Sequence, residues 1–305
     1  MDNIDIGGTG AGGLGDAKAR WRDMKKRLID EFTYASEENP LRLILAIRGI
    51  ELLTGQPYLK RMYHVYQSEK RPHGDAFRRY LELIDVEIAL HGTPLEEIPR
   101  NGPVIFVANH PYGVLDGIIM CALAARVRPD FKVVITKILC RFPELAPHIL
   151  PLDFTENPRA LDVNIDTRKR TRDELAGGGA VVLFPSGAIS VKPRLFDKRA
   201  VDLEWKPFLG QLVRRYRPHI VPVCFAGQNS SVFHFADRIH QDLKRALIFY
   251  ETRRHVGKQV DVVIGKPLSA DDVADIPTAD LVAHLQAHTM AQSALLPPDH
   301  PFYGL

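Results

Sequence analysis

Short apolar runs separated by helix-length amphipathic stretches predict an α/β fold, a largely parallel mixed sheet flanked by helices, with an N-terminal helical annex. The runs fall at 104–108, 132–136, 148–152, 180–184, 220–225 and 260–264, and helical periodicity fills 116–128, 138–146, 166–176 and 205–216 between them. Ahead of the first run, 17–91 reads as helical. At 305 residues, 45% hydrophobic and 25% charged, the chain can bury one large core with a smaller satellite. The expected division is a Gly-rich tail at 1–24, a helical region at 25–92 and a catalytic α/β domain at 93–305.

Taken in order, the first fifteen residues hold six glycines, Gly7, Gly8, Gly10, Gly12, Gly13 and Gly15, and offer little apolar surface to offset their backbone entropy. That stretch reads as a disordered tail. With no strand before it, it does not suit a dinucleotide fingerprint. Mixed charge at 25–32, an apolar stretch at 41–53 entered by Pro40, and a periodic stretch at 76–88 form the annex. The 41–53 helix is expected to pack on the core or to lie in a membrane interface. Gly177-Gly178-Gly179, between a helix and a strand, reads as a helix stop and turn. The last helix is expected at 278–294, ahead of Pro297-Pro298.

Composition excludes several classes. Cys121, Cys140 and Cys224 are odd in number and widely spaced, which argues against a disulfide framework or a metal knuckle and for a reducing cytosol. No window supplies the roughly 20 apolar residues of a spanning helix, and the acidic, Gly-rich start does not read as a secretion signal. Net charge is +3, but cations cluster at Arg168 to Arg172, Lys192 with Arg194, Lys198-Arg199, Arg214-Arg215 and Arg253-Arg254. Such clusters are solvated faces or, when they share a face, contacts for anionic lipid. No recognition motif accompanies them, so nucleic acid is not an expected partner.

The chemistry is concentrated at 104–117. A buried strand ends in Asn109-His110, Pro111 and Gly113 turn the chain, and Asp116 stands where a helix begins. Polar residues at the carboxyl ends of strands in open α/β sheets lie where such folds bind ligands. Histidine can accept and return a proton near neutral pH, and a carboxylate on one ring nitrogen fixes its tautomer. Taken alone, such a pair is more often structural than catalytic; as a general base, with no serine or cysteine in this loop, it would act on the acceptor's own hydroxyl in a direct acyl transfer.

The same residues resemble the first motif of the glycerolipid acyltransferase superfamily, which includes lysophosphatidic acid acyltransferases and is written Asn-His, four residues, Asp. Here five residues separate His110 from Asp116. That spacing is similar to a bacterial hemolysin-like, lysophospholipid acyltransferase-like branch, and Gly113 is placed to absorb the added residue. Phe184-Pro185-Ser186-Gly187-Ala188-Ile189-Ser190 resembles the third motif, Ile149 to Phe154 the second and Ile220-Val221-Pro222-Val223 the fourth. Similarity continues through Trp205-Lys206-Pro207-Phe208 and Gly227-Gln228-Asn229-Ser230, from about residue 51 to 268.

The resemblance implies an O-acyltransferase of phospholipid or glycerolipid biosynthesis, with the glycerolipid acyltransferase fold. It would move a fatty acyl group from coenzyme A or acyl carrier protein to a lysophospholipid, glycerol phosphate or related lyso-lipid. His110 and Asp116 are the expected catalytic pair; Asn109, Gly113, Phe184, Pro185, Ser186, Gly187 and Pro222 follow from the motifs as substrate-binding. No cofactor and no metal are implied, and the expected setting is cytoplasmic, peripheral at the inner face of the membrane. The family's motif glutamate is Ser186 here, and its phosphate-holding arginines are Phe154 and Ile189. Either Lys137, Arg141, Lys192 and Arg194 supply the charge, or the acceptor carries no phosphate monoester, as in a lyso-ornithine or other amino-acid lipid. The Gly187 N–H is the candidate oxyanion donor.

Two rival functions remain open to the sequence. A non-catalytic lipid-binding protein would explain the missing glutamate and arginines, and a thioesterase or hydrolase would use water as acceptor. Ser186 lacks the glycine of a nucleophile elbow two residues before it, and His284 with His288 lacks a zinc-protease glutamate.

Overall fold

In the computed structural model the described residues are 32–36, 38–69, 76–154, 157–194 and 196–304. The Gly-rich tail at 1–24 and nearly all of the charged stretch at 25–32 lie outside them.

Among the described residues three helices come first: α1 (Leu41–Thr54), α2 (Gln56–Ser68) and α3 (Ala76–Leu83). Pro40 is the N-cap of α1. Helix α1 packs on the core, one of the two arrangements expected for it. It buries Ile44, Ile47 and Glu51 while Leu45, Leu52 and Leu53 face outward.

The helical reading of 76–88 fails at its end. After α3, Asp85 takes φ 53°, a left-handed conformation that ends helices, and β1 (Val86–Gly92) begins. Val86, Ile88 and Leu90 alternate with Glu87, Ala89 and His91, and each of the seven positions is in register with β7. Period two, backed by a partner far along the chain, overrides the preceding helical period.

The remaining elements are β2 (Val104–Ala108), α4 (Val114–Val127), β3 (Lys132–Thr136), β4 (Ile149–Leu152), α5 (Arg159–Ala176), β5 (Ala180–Leu183), α6 (Phe208–Tyr216), β6 (His219–Ala226), α7 (Ser231–Ile239), α8 (Gln241–Ala246), α9 (Ile248–Arg254), β7 (Lys258–Ile264) and α10 (Thr278–Ala291). Where a helix was expected at 138–146 the chain makes two 3₁₀ turns, Lys137–Arg141 and Ala146–His148. Pro143 and Pro147 interrupt that stretch, and proline breaks the hydrogen-bond ladder of an α-helix. Gly177, Gly178 and Gly179 close α5 as expected, their N–H groups donating to Asp173, Leu175 and Glu174 carbonyls.

The sheet runs β1-β7-β6-β2-β5-β3-β4. Strands β6, β2, β5, β3 and β4 are mutually parallel, and β7 meets β6 antiparallel. The fold is therefore α/β with a mostly parallel, mixed sheet. Parallel strands need cover on both faces, and β2 shows it: all five of its residues are buried. Val104, Phe106 and Ala108 join one core with α4, and Ile105 and Val107 join the other with α6 and α10. That burial fixes β2 rigidly and aims its carboxyl end at the loop carrying Asn109 and His110.

Candidate active site

Three loops meet at the carboxyl ends of β2, β5 and β6. After β2, the chain turns through Pro111, Tyr112 and Gly113, and α4 starts at Val114. Gly113 takes φ 82°, and a Cβ there would stand 2.7 Å from the Ile189 side chain. Glycine is required both for the conformation and for the close approach, as its place in the lengthened loop suggested.

Asp116 is fully buried at the third position of α4. Its Oδ2 accepts the backbone N–H groups of Tyr112 at 2.8 Å and Gly113 at 3.3 Å, satisfying orphan donors at the helix start. Its Oδ1 lies 2.9 Å from His110 Nδ1. The approach is oblique, and neither atom has another polar partner among the described residues. Each is thus committed to the other, with Nδ1 buried and the opposite edge of the ring left for substrate. The imidazole rests on the Phe184 ring, centroids 4.2 Å apart.

A second carboxylate supports the loop. Asp202 Oδ1 accepts the His110 backbone N–H at 3.1 Å and the Ser190 hydroxyl at 2.8 Å, and Oδ2 accepts the Trp205 indole N–H at 2.7 Å. The Ser190 N–H returns to the His110 carbonyl at 2.8 Å. Burial works against a charged imidazole, but the charge and hydrogen bond of Asp116, with Asp202 behind them, outweigh it and Lys244. The net effect raises the His110 pKa above its ordinary value. Burial also lifts the Asp202 carboxyl, against the three donors that hold it.

Several expected site residues have other work. Asn109 donates to the Phe225 carbonyl at 3.0 Å and accepts its N–H at 2.7 Å, extending the β2–β6 ladder through a side chain. It positions His110 and is closed to substrate. The Gly187 N–H donates to the Phe184 carbonyl at 2.9 Å, closing a turn with glycine at the position where φ is 69°. It is therefore not a free oxyanion donor. Ser186 is buried and donates to the Ala188 carbonyl, which removes it as a nucleophile. Pro185 holds this turn in place, its carbonyl accepting the Lys206 N–H at 2.9 Å. Pro222 is buried inside β6 opposite Val107, a core residue.

Of the four cations, Lys137 is neutralised by Asp153 at 2.5 Å. Arg141 donates to the Thr33 carbonyl, tying the N-terminal segment to the sheet. Arg194 is exposed, its N–H on Asp197. Lys192 is half-buried beside α7, where Arg238 binds its carbonyl.

Next to the loop an apolar recess opens between α4 and the N-terminal helices. Val114 and Ile118 of α4 form one wall, with Tyr63, Leu139, Phe142 and Phe249 opposite. Asp116 lies between Val114 and Ile118 in sequence, so the histidine's partner and the wall of the recess share one helix.

Sequence reasoning named His110 and Asp116 but missed Asp202, Ser190 and Tyr112. Trp205, inside a block already resembling the family, was the available pointer to Asp202 three residues earlier.

A buried imidazole–carboxylate pair at the carboxyl end of a parallel strand, with the Ser186 hydroxyl engaged elsewhere, is an arrangement able to work as a general base. Residues 89–226 match the family model described as Acyltransferase. The chain is 26% identical to a lyso-glycine lipid O-acyltransferase of Phocaeicola vulgatus, over 69% of this chain and 77% of that one. It is 25% identical to a lyso-glycine lipid O-acyltransferase of Bacteroides thetaiotaomicron, over 69% and 79%. A solved structure, the 1-acyl-sn-glycerophosphate acyltransferase of Thermotoga maritima, superposes with TM-score 0.49 at 14% identity, covering 77% of this chain and 81% of that one. By the family-model match, residues 89–226 form an acyltransferase domain.

Proposed function

We propose that the protein esterifies the hydroxyl of a lyso-lipid whose head group is an amino acid, using a fatty acyl thioester of acyl carrier protein or coenzyme A. The observation that carries this reading is the His110–Asp116 pair beside an apolar recess, with Lys137 held by Asp153 and Arg141 by the Thr33 carbonyl. Both curated relatives act on lyso-glycine lipids by name, which agrees with it.

His110 Nε2 takes the proton of the acceptor hydroxyl as that oxygen attacks the thioester carbonyl. Asp116 keeps the remaining proton on Nδ1 and stabilises the imidazolium. An acyl–oxygen bond forms, the acyl–sulfur bond breaks, and the imidazolium returns its proton to the departing thiolate. The apolar recess lined by Val114 and Ile118 is of the right character for an acyl chain, and its wall shares helix α4 with Asp116.

The long-chain substrates must come from a bilayer. No helix of the described residues is long and apolar enough to cross a membrane. Peripheral binding at the inner face is supported by Leu45, Leu52 and Leu53 on α1, and by Val232, Phe235 and Ile239, spaced along one exposed side of α7.

The test is transfer of a labelled acyl group from each thioester donor to a panel of lyso-lipids by the purified protein. A diacyl amino-acid lipid is the expected product, lost in His110→Ala. Transfer confined to phosphate-bearing acceptors, or undiminished in the variant, overturns the reading.

A further inference from the structure

From β6 the chain passes Gly227 and Gln228 to Asn229, and Ser230 caps α7 by accepting the Phe233 N–H. Asn229 and His234 are 2% and 3% exposed. Neither amide atom of Asn229 and neither ring nitrogen of His234 has a hydrogen-bond partner among the described residues. The Asn229 backbone lies beside the His234 ring without forming an aligned bond. Buried polar groups are nearly always paired, and one left unpaired is costly. Four such atoms on two neighbouring side chains mark a place where something polar belongs.

The pair adjoins the catalytic loop. Gly227 is packed so closely on Tyr112 that a Cβ would overlap its hydroxyl, and that hydroxyl donates to the Ala226 carbonyl. Val114 and Ile189 pack against the apolar cluster that includes Phe233 and Ala236 of α7. Arg238 of α7 binds the Lys192 and Pro193 carbonyls, two and three residues beyond the Ser190 that binds His110. His234 is electrically neutral at physiological pH. Burial, Lys192 and Lys244 push its pKa down to about 4, against Glu251 and the Asn229 backbone.

We propose that Asn229 and His234 recognise a secondary amide in the acceptor, next to the hydroxyl that His110 activates. This rests on the lyso-lipid reading above and narrows it to amide-linked acceptors. Neutral histidine and asparagine each present one kind of donor and one kind of acceptor. A secondary amide supplies the matching N–H and C=O. A carboxylate or phosphate monoester, offering acceptors alone at full charge, leaves the Asn229 oxygen and one ring nitrogen unmet.

The test uses the full chain with two short hydroxyacyl amino-acid acceptors that differ in one atom, the amide N–H replaced by an ester oxygen. A site built around a substrate N–H discriminates strongly against an analogue lacking it, so kcat/KM is expected to favour the amide by about tenfold or more. In Asn229→Leu and His234→Phe that preference falls toward unity while the melting temperature holds or rises, because an unpaired buried polar group has been removed. Equal use of amide and ester by the unmodified protein overturns this proposal alone and assigns the two residues to buried water. Variants that melt lower yet keep the preference also overturn it. Acylation of neither acceptor, with a phosphate-bearing one accepted, overturns the lyso-lipid reading together with this one.

Discussion

The loops that follow β2 and β5 sit side by side and treat their polar groups in opposite ways. After β5, the Ser186 hydroxyl, the Gly187 N–H and the Pro185 carbonyl are all used within the protein. After β2, His110 keeps one ring edge uncommitted while its other nitrogen is held by a carboxylate that nothing else restrains on that oxygen. A motif match gives both loops the same standing. Hydrogen-bond accounting separates them, assigning chemistry to the first and support to the second.

The largest effect should come from the β2 loop. His110→Ala removes the base, and acyl transfer is expected to fall by about 10³ to 10⁴, read in a continuous thiol-release assay with the circular dichroism spectrum unchanged. A fall under tenfold would return the catalytic role to another group. Next, Asp116→Asn leaves a side chain of the same size but loses the charge that steadies the imidazolium, and a drop of about 10² to 10³ is expected. Because Oδ2 also caps α4, a lower melting temperature, by about 1 kcal/mol of stability, should accompany it.

Asp202→Asn tests the support beneath the base. An amide cannot accept from three donors in this geometry, and a tenfold to hundredfold loss of kcat with little change in acceptor KM is expected. Its second readout is the pH profile. The base must be unprotonated to work, so kcat/KM should rise with pH and level off above a midpoint higher than about 6.5, since the His110 pKa is raised. Loss of either carboxylate removes a raising influence, so the midpoint should move to lower pH in both variants. A midpoint that stays put in Asp202→Asn would show that this residue only braces the backbone.

The smallest effect is expected in the β5 loop. Ser186→Ala deletes one buried hydrogen bond, costing about 1 kcal/mol, and activity should remain within about threefold. A collapse of activity with stability intact would overturn the contrast between the loops.

How far the sequence could be read follows the same line. Strand β2, helix α4 and the His110–Asp116 pair were legible because their determinants are local: a five-residue apolar run, a turn and a helix start within fourteen residues. Strand β1 was not, since its register depends on β7 more than 160 residues later, and α3 masked its alternation. Asp202 was not legible either, because its partners His110 and Trp205 lie on opposite sides of it in the chain and the first is 92 positions away. The Gly187 N–H was misjudged for the reverse reason. Its acceptor, the Phe184 carbonyl, is three residues back, in a tight turn that the motif resemblance does not reveal. The cations Lys137 and Arg141 were near in sequence to the expected site, but Asp153 and Thr33 claim them first.

Asp116 sits in the first turn of α4, and Val114 and Ile118 on either side of it wall the recess. Chain-length preference and proton transfer are therefore mounted on a single stiff rod. Enlarging Val114 or Ile118 to shorten the recess would tilt the base as well, whereas refitting Tyr63 or Tyr66 on α2, across the gap, leaves it untouched. An engineer seeking a protein for shorter fats should carve from the far side.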